Sequence, residues 1–387
     1  MATLEYEKLL TKYQDFANPI AVVKIGGKDI SGNKDGLVLS DLTIELTSGF
    51  EASIATFTIY NSYDLEASYF KFEQVKAYIM LGSAVEISMG YHRSAVIVFS
   101  GFISQVTFSF DQTDGPCIRV TAMDIKGIMM SGSYAKQLKA ETYSAAVSEI
   151  LSRTAYEKLR TKNIISKLSV EDTPDAAAAK SSGGGEKKTT DRTVEMVSES
   201  DYEFVVKAAK KYNYEFFTLG KTVYFRKAKS NSTILIDLGP QTGMRNMEVQ
   251  YDLTGLVEKV EVRTINAGKG ELVKAEKKLS EKISQGNNAK GLVQGSEKVV
   301  IDPTVTSKEE AGYRSEYLAE DIAYRLGTLE ADLNGIPELI PGRFVTLSGL
   351  GKNMKVKFYL TSVTHIMDSD RGYVTHITGK AASIDKV

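Results

Sequence analysis

The sequence predicts a mainly β protein with α insertions, in which two regions of alternating strands are separated by helical spacers. Three observations predict it. Apolar and polar residues alternate with period two over residues 18–130 and again over much of 192–387. Helical spacing is confined to short stretches between and beside these regions. Glycine and aspartate turn signals separate the alternating runs.

Residues 1–17 read as an N-terminal helix, with Leu4, Leu9, Tyr13 and Phe16 at helical spacing. Asn18-Pro19 ends it, because a residue before proline is pushed out of the α region. The first β region spans 18–130. Leu42, Ile44 and Leu46 alternate with Thr43, Glu45 and Thr47. Ala55, Phe57 and Ile59 alternate with Thr56 and Thr58, and Val85, Ile87 and Met89 with Glu86 and Ser88. Phe102, Val106, Phe108 and Phe110 are expected on one face, opposite Gln105, Thr107 and Ser109. Gly101 is expected to mark a bulge or corner. Strands of this kind are half-buried and antiparallel, in a barrel or a sandwich.

Residues 131–170 read as a helical spacer, with Val147, Ile150, Leu151 and Ala155 at helical spacing. Residues 171–191 read as a flexible linker: from Asp175 to Thr190, DAAAAKSSGGGEKKTT, there is no apolar anchor beyond alanine. The last region, 192–387, starts with a helix at 201–212. Ser200 and Glu203 stand at capping-box spacing, and Val205, Ala208, Ala209 and Tyr212 form its apolar face. Tyr214 to Leu219 and Thr222 to Arg226 are aromatic strands around Gly220-Lys221, a two-residue hairpin turn. Alternation continues through Leu256 to Val262. Residues 266–297, rich in Lys, Glu, Gly and Asn, read as an exposed excursion. Ser307 with Glu310 opens another helix, with Ala311, Leu318, Ile322 and Leu326 on one face. Strands then resume from Leu329 to Ala381, with a tight turn at Asp368–Gly372.

Composition narrows the function. The chain has 387 residues and a net charge of -1, so no basic excess is available to neutralise a phosphate backbone, and nucleic acid is not an expected partner. MATLEYEKLL lacks the basic and apolar parts of a signal peptide, and runs such as Ala95 to Phe99 are too short to cross a bilayer. No membrane insertion by this chain is expected. The single cysteine, Cys117, forms no internal disulfide, which fits synthesis in a bacterial cytoplasm.

Catalytic motifs are incomplete. There are three histidines, His92, His365 and His376. His365 and His376 flank the Asp368–Gly372 turn and are placed nearly opposite each other, with Asp368 or Asp370 as a third group. A zinc site needs at least three protein ligands, and a half-exposed strand histidine is the ordinary alternative. Gly220-Lys221-Thr222 has the end of a phosphate loop, but Glu215 stands where that loop requires glycine. Gly349 and Gly351 form G-x-G without a third glycine or a following helix. No pair of carboxylates stands in a glycosidase context. The expectation is no enzyme, no cofactor and no catalytic or metal-binding residue. The 20 tyrosines suit protein–protein contacts, the alternative being that they line cores and edges.

Three segments, in order along the chain, carry a resemblance. Val85 to Tyr91, Phe99 to Ile103 (FSGFI) and Val120 to Asp124 (VTAMD) make the first. Ser200 to Phe217, SDYEFVVKAAKKYNYEFF, with Thr222 to Arg226, TVYFR, makes the second. Gly335 to Gly342, GIPELIPG, then Arg343 to Ser348, Phe358 to His365 (FYLTSVTH) and Asp370 to Thr375 (DRGYVT) make the third. Together they resemble the phage late control protein D family and the hub-like head domain of type VI secretion spikes. The resemblance implies a phage baseplate hub fold with two related antiparallel β-barrel domains. It implies a homotrimer presenting six similar units, which adapts a hexameric tail tube to a three-fold central spike. The implied partners are the central spike protein, the tail tube protein, baseplate wedge proteins and the tape measure protein. The implied location is the tail baseplate of a virion or phage-tail-like particle. Residues 175–190 and 266–297 depart from the family pattern and are expected as surface insertions, and the spike is expected on another chain. Two rival readings are a tail-tip peptidoglycan hydrolase, which needs a cleft with paired carboxylates, and a carbohydrate-binding tail protein, which should show repeats.

Overall fold

A computed structural model describes residues 3–32, 36–71, 79–111, 115–175, 194–266, 270–284, 286–351 and 356–384. The protein is mainly β, with seven α-helices among these residues. The alternation places its apolar partners inward: Leu42, Ile44, Leu46, Ala55, Phe57, Ile59, Val85, Ile87 and Met89 are all buried. Each of these side chains larger than alanine contributes about 1.5–3 kcal/mol by leaving water.

Thirteen strands form one sheet. From one edge it runs Met244–Tyr251, Gly327–Asn334, Gly372–Ala381, Lys357–Asp368, Val38–Thr47, Ile54–Tyr60, Cys117–Met123, Ser94–Ser109, Ala84–Tyr91, Pro19–Ile25, Lys28–Asp29. Phe344–Leu347 pairs with the start of Lys357–Asp368, and Ile234–Leu238 pairs parallel with Phe344–Leu347. The two β regions are therefore joined edge to edge, by antiparallel pairs from Ser362↔Thr47 to Met367↔Leu42. One apolar core lies against both, including Ile44 and Phe57 from the first and Val363 and Ile377 from the second. The helix Tyr6–Lys12 adds Leu9 to that core, with Tyr13 just beyond its end.

A second core binds the helices Tyr143–Leu151, Thr154–Thr161 and Asp201–Tyr212 to the hairpin of Tyr214–Leu219 and Thr222–Lys227. The helical spacing at 141–160 resolves into two helices, broken at Ser152-Arg153. The capping box forms in full: Ser200 Oγ accepts from Glu203 N at 3.1 Å, and the Glu203 carboxylate accepts from Ser200 N at 2.7 Å. At the second helix only half of the box forms. Ser307 Oγ accepts from Glu310 N, while the Glu310 carboxylate accepts from Thr306 N.

Three features differ from the alternation read in the sequence. Gly101 is not itself a bulge. The register shifts lie between Ile87 and Ser88 and between Ile103 and Gln105, and a Cβ on Gly101 would stand 2.2 Å from the Met123 carbonyl. Because Ser104 is the extra residue, Phe102 leaves the face it was expected to share with Val106; Ile103 and Val106 pack in the sheet core and Phe102 in the helical one. Residues 266–297 include the strand Glu271–Lys278, paired along Lys259–Asn266, with Glu297–Ile301 on the other side. This small sheet packs against the helix Lys308–Ala323 through Val262, Val273, Ala275 and Ala311. Asp175 accepts a bond from Tyr143 N at 2.9 Å; the rest of the expected linker, from residue 176, lies outside the described residues.

Candidate functional site

The segment Gly335–Gly342, GIPELIPG, is where the parts of the molecule meet. Tyr91, from the first β region, donates its hydroxyl to the Gly335 carbonyl at 2.8 Å. Ile336 N donates to Thr375 Oγ1 at 3.0 Å. Glu338 accepts from Lys12 at 2.5 Å and from the Tyr13 hydroxyl at 2.6 Å, both from the N-terminal helix and its end. Arg226, from the aromatic hairpin, donates to the Gly342 carbonyl at 2.7 Å. Both glycines are required by their surroundings. A Cβ on Gly335 would lie 2.1 Å from the Tyr373 ring, and Gly342 has φ +78° with Arg226 and Phe217 against it.

His365 lies beneath this segment and is fully buried. Its Nε2 is 3.2 Å from the Leu339 carbonyl, which fixes that nitrogen as the donor. Its Nδ1 then accepts from the Tyr373 hydroxyl at 2.9 Å. Burial pushes its pKa down to about 4. His376 is not its partner. In the hairpin His365 faces Thr375 and His376 faces Thr364, so successive side chains take opposite faces, and His376 Nδ1 meets Asp332 at 2.8 Å. Among the described residues no three His, Cys, Asp or Glu side chains are grouped to hold a metal ion.

Buried polar groups elsewhere tie segments of the chain together. Lys126 is fully buried and donates to the Gly49 and Glu51 carbonyls at 3.0 and 2.6 Å. Beside it Asp124 accepts from Ser53 N at 3.1 Å. Burial raises the Asp124 carboxyl and lowers the Lys126 ammonium, each opposed by the other's charge. Glu215, in the aromatic hairpin, accepts from Arg226 Nε at 3.2 Å and from the Tyr359 hydroxyl of the main sheet. Burial raises its carboxyl above the ordinary range. A cleft of about 560 Å³ lies between Lys24, Gly26, Ser83, Glu86, Ser100 and Lys162. Glu86, the carboxylate among its described lining residues, is tied to Lys221 at 2.6 Å.

The two β regions share one plan. Taken in chain order, the strands Pro19–Ile25, Val38–Thr47, Ile54–Tyr60, Ala84–Tyr91, Ser94–Ser109 and Cys117–Met123 lie side by side as first, fourth, fifth, sixth, third, second. Ile234–Leu238, Met244–Tyr251, Gly327–Asn334, Phe344–Leu347, Lys357–Asp368 and Gly372–Ala381 lie in that same order. One pairing differs, the first with the fourth, which is antiparallel in the first region and parallel in the second. The match extends to single bonds. Ile103 N donates to Ser83 O and Gly82 N to Ile103 O; Leu360 N donates to Arg343 O and Gly342 N to Leu360 O. The next residue is a bulge in both, between Ile103 and Gln105 and between Leu360 and Ser362.

No protein-family model matches the sequence, and no curated protein sequence matches it. Solved structures share the fold. The 43 kDa tail protein of prophage MuSo2 from Shewanella oneidensis matches with a TM-score of 0.64 at 14% identity, over 94% of this chain and 98% of that one. A tail protein from Neisseria meningitidis MC58 matches with a TM-score of 0.63 at 13% identity, over 94% and 96%. An E. coli component of the type VI secretion system, described as similar to the T4 tail proteins gp27 and gp5, matches with a TM-score of 0.50 at 12% identity. That match covers 93% of this chain and 76% of the other.

Proposed function

We propose that this chain is a structural baseplate hub of a contractile injection machine, working by assembly and not by catalysis. In this reading three copies form a ring that joins a hexameric tail tube to a three-fold central spike. The observation that carries it is the repeated plan of the two β regions, matched in strand order and bulge position. A three-fold ring meets six equivalent tube subunits only if each of its chains offers two equivalent docking surfaces. The fold shared with solved phage tail proteins supports the same reading.

Light scattering on the purified protein tests it, with the neighbouring spike and tube proteins then added by co-expression. A mass of three chains, and a complex holding equal numbers of hub and spike chains, are expected. Stable interfaces of this permanent kind bury more than about 2,000 Å². A monomer at every concentration that binds neither partner would contradict the reading.

A further inference from the structure

The turn that ends GIPELIPG occurs a second time in the chain. Met80-Leu81-Gly82 stands in the first β region where Ile340-Pro341-Gly342 stands in the second. Gly82 and Gly342 have φ +76° and +78°. Gly82 N donates to the Ile103 carbonyl as Gly342 N donates to that of Leu360, each at 2.8 Å. The carbonyl of each glycine accepts from a cation outside the main sheet: Gly342 from Arg226 at 2.7 Å, Gly82 from Lys162 at 2.8 Å.

What covers the two turns differs. The aromatic hairpin lies on Gly342, where a Cβ would meet Arg226 Nη2 at 2.9 Å and the Phe217 ring at 3.1 Å. Pro341 is buried and Ile340 half-buried. Arg226 is itself held by the Glu215 carboxylate at 3.2 Å. At Gly82 a Cβ would meet nothing within 4 Å. Met80 is 57% exposed and Leu81 69%. Lys162 lines the cleft beside this turn and has no carboxylate against it among the described residues. Glu86, in the same cleft, is held by Lys221 at 2.6 Å and stands 3.9 Å from Lys24. Among the described residues the first turn therefore lacks two things that the second has: an aromatic face on its glycine and a carboxylate on its cation.

We infer that the Met80–Gly82 turn and the cleft beside it receive an acidic, aromatic segment of another protein. Its carboxylate pairs with Lys162, with Lys24 in the same cleft, and its ring lies on Gly82 against Leu81 and Met80. An exposed apolar pair next to an uncompensated cation fits such a segment and repels a basic one. A second copy is not the occupant, because in every copy the matching hairpin is already in use: Glu215 and Phe217 are buried, Phe217 against Gly342 and Glu215 against Tyr359 of the main sheet. The site is built within one chain, so it does not depend on how many copies assemble.

Fluorescence anisotropy on the full chain tests it, with a labelled hexapeptide of alternating Glu and Phe as probe. Saturable binding is expected, weakened by salt. Hexapeptides of alternating Lys and Phe, or Glu and Ser, are expected to bind at least about tenfold more weakly. Lys162→Glu is expected to reverse the order of the Glu/Phe and Lys/Phe peptides. Leu81→Ser is expected to weaken the Glu/Phe peptide and leave the Glu/Ser peptide unchanged. Both side chains are exposed, and circular dichroism checks that the variants fold. Lys24→Gln, which leaves the bond to the Gly82 carbonyl intact, is expected to weaken the Glu/Phe peptide as well. No saturable binding by the parent chain, equal binding of either control peptide, or an order unchanged by Lys162→Glu overturns the inference. So does a self-association of the parent chain, read by light scattering, that Lys162→Glu abolishes, since the turn would then take a second copy.

Discussion

Ser104 and Thr361 do the same thing in two places. Each is the extra residue of a bulge, and each donates its hydroxyl across to the facing strand, Ser104 to Thr121 O at 3.1 Å and Thr361 to Thr378 O at 3.2 Å. A bulge breaks the ladder locally, and the hydroxyl satisfies a carbonyl there. Ser104→Ala and Thr361→Val are each expected to cost about 0.5–1.5 kcal/mol in urea unfolding. A difference above about 2 kcal/mol between them would mean that the two sites are not equivalent.

Gly335→Ala is expected to destabilise the protein by about 1–3 kcal/mol, because the new methyl meets the Tyr373 ring at 2.1 Å. Tyr373 also holds His365 in its tautomer, so the Gly335→Ala chain should lose near-ultraviolet tyrosine signal at lower denaturant. An unfolding midpoint equal to that of the parent protein would show that the ring yields at no cost.

His365 predicts a pH dependence. Its unfolded imidazole takes up a proton below about pH 6.5, and the buried one only near pH 4. In that window the unfolded state binds more protons, so stability falls as pH falls from 6.5 to 4. The loss is on the order of 3 kcal/mol. His365→Gln should be less stable at pH 7 and lose correspondingly less on acidification. Equal losses in the two proteins would assign the acid sensitivity elsewhere.

Lys126 offers a test of the buried polar cluster inside the first β region. Lys126→Met removes the donor to the Gly49 and Glu51 carbonyls and leaves Asp124 without its neighbouring charge. Breaking a buried pair on one side costs about 3–5 kcal/mol. The combined change Asp124→Asn with Lys126→Met should cost less than the sum of the single changes, measured by equilibrium unfolding. Strict additivity would argue against coupling.

Much of the strand layout was legible because one face of each strand is buried. Leu42, Ile44 and Leu46 alternate in the sequence and in the core alike, and the Ser200–Glu203 cap could be read from spacing alone. What could not be read depends on distant partners. Nothing local in Val38–Thr47 says that it pairs with Lys357–Asp368, and the Ser104 bulge shifts Phe102 without any glycine to announce it. Lys126 reads as a surface lysine until the carbonyls of Gly49 and Glu51 surround it. Glu271–Lys278 hid within a charged stretch because only Val273 and Ala275 supply its inward apolar face.

The most direct test is an electron cryomicroscopy structure of the assembled ring with tail tube attached. The hub reading predicts that the two β regions of each chain superpose after a rotation of about 60° about the three-fold axis, and that both touch the tube. A ring in which only one region faces the tube, or in which the two lie at unrelated angles to the axis, would contradict it.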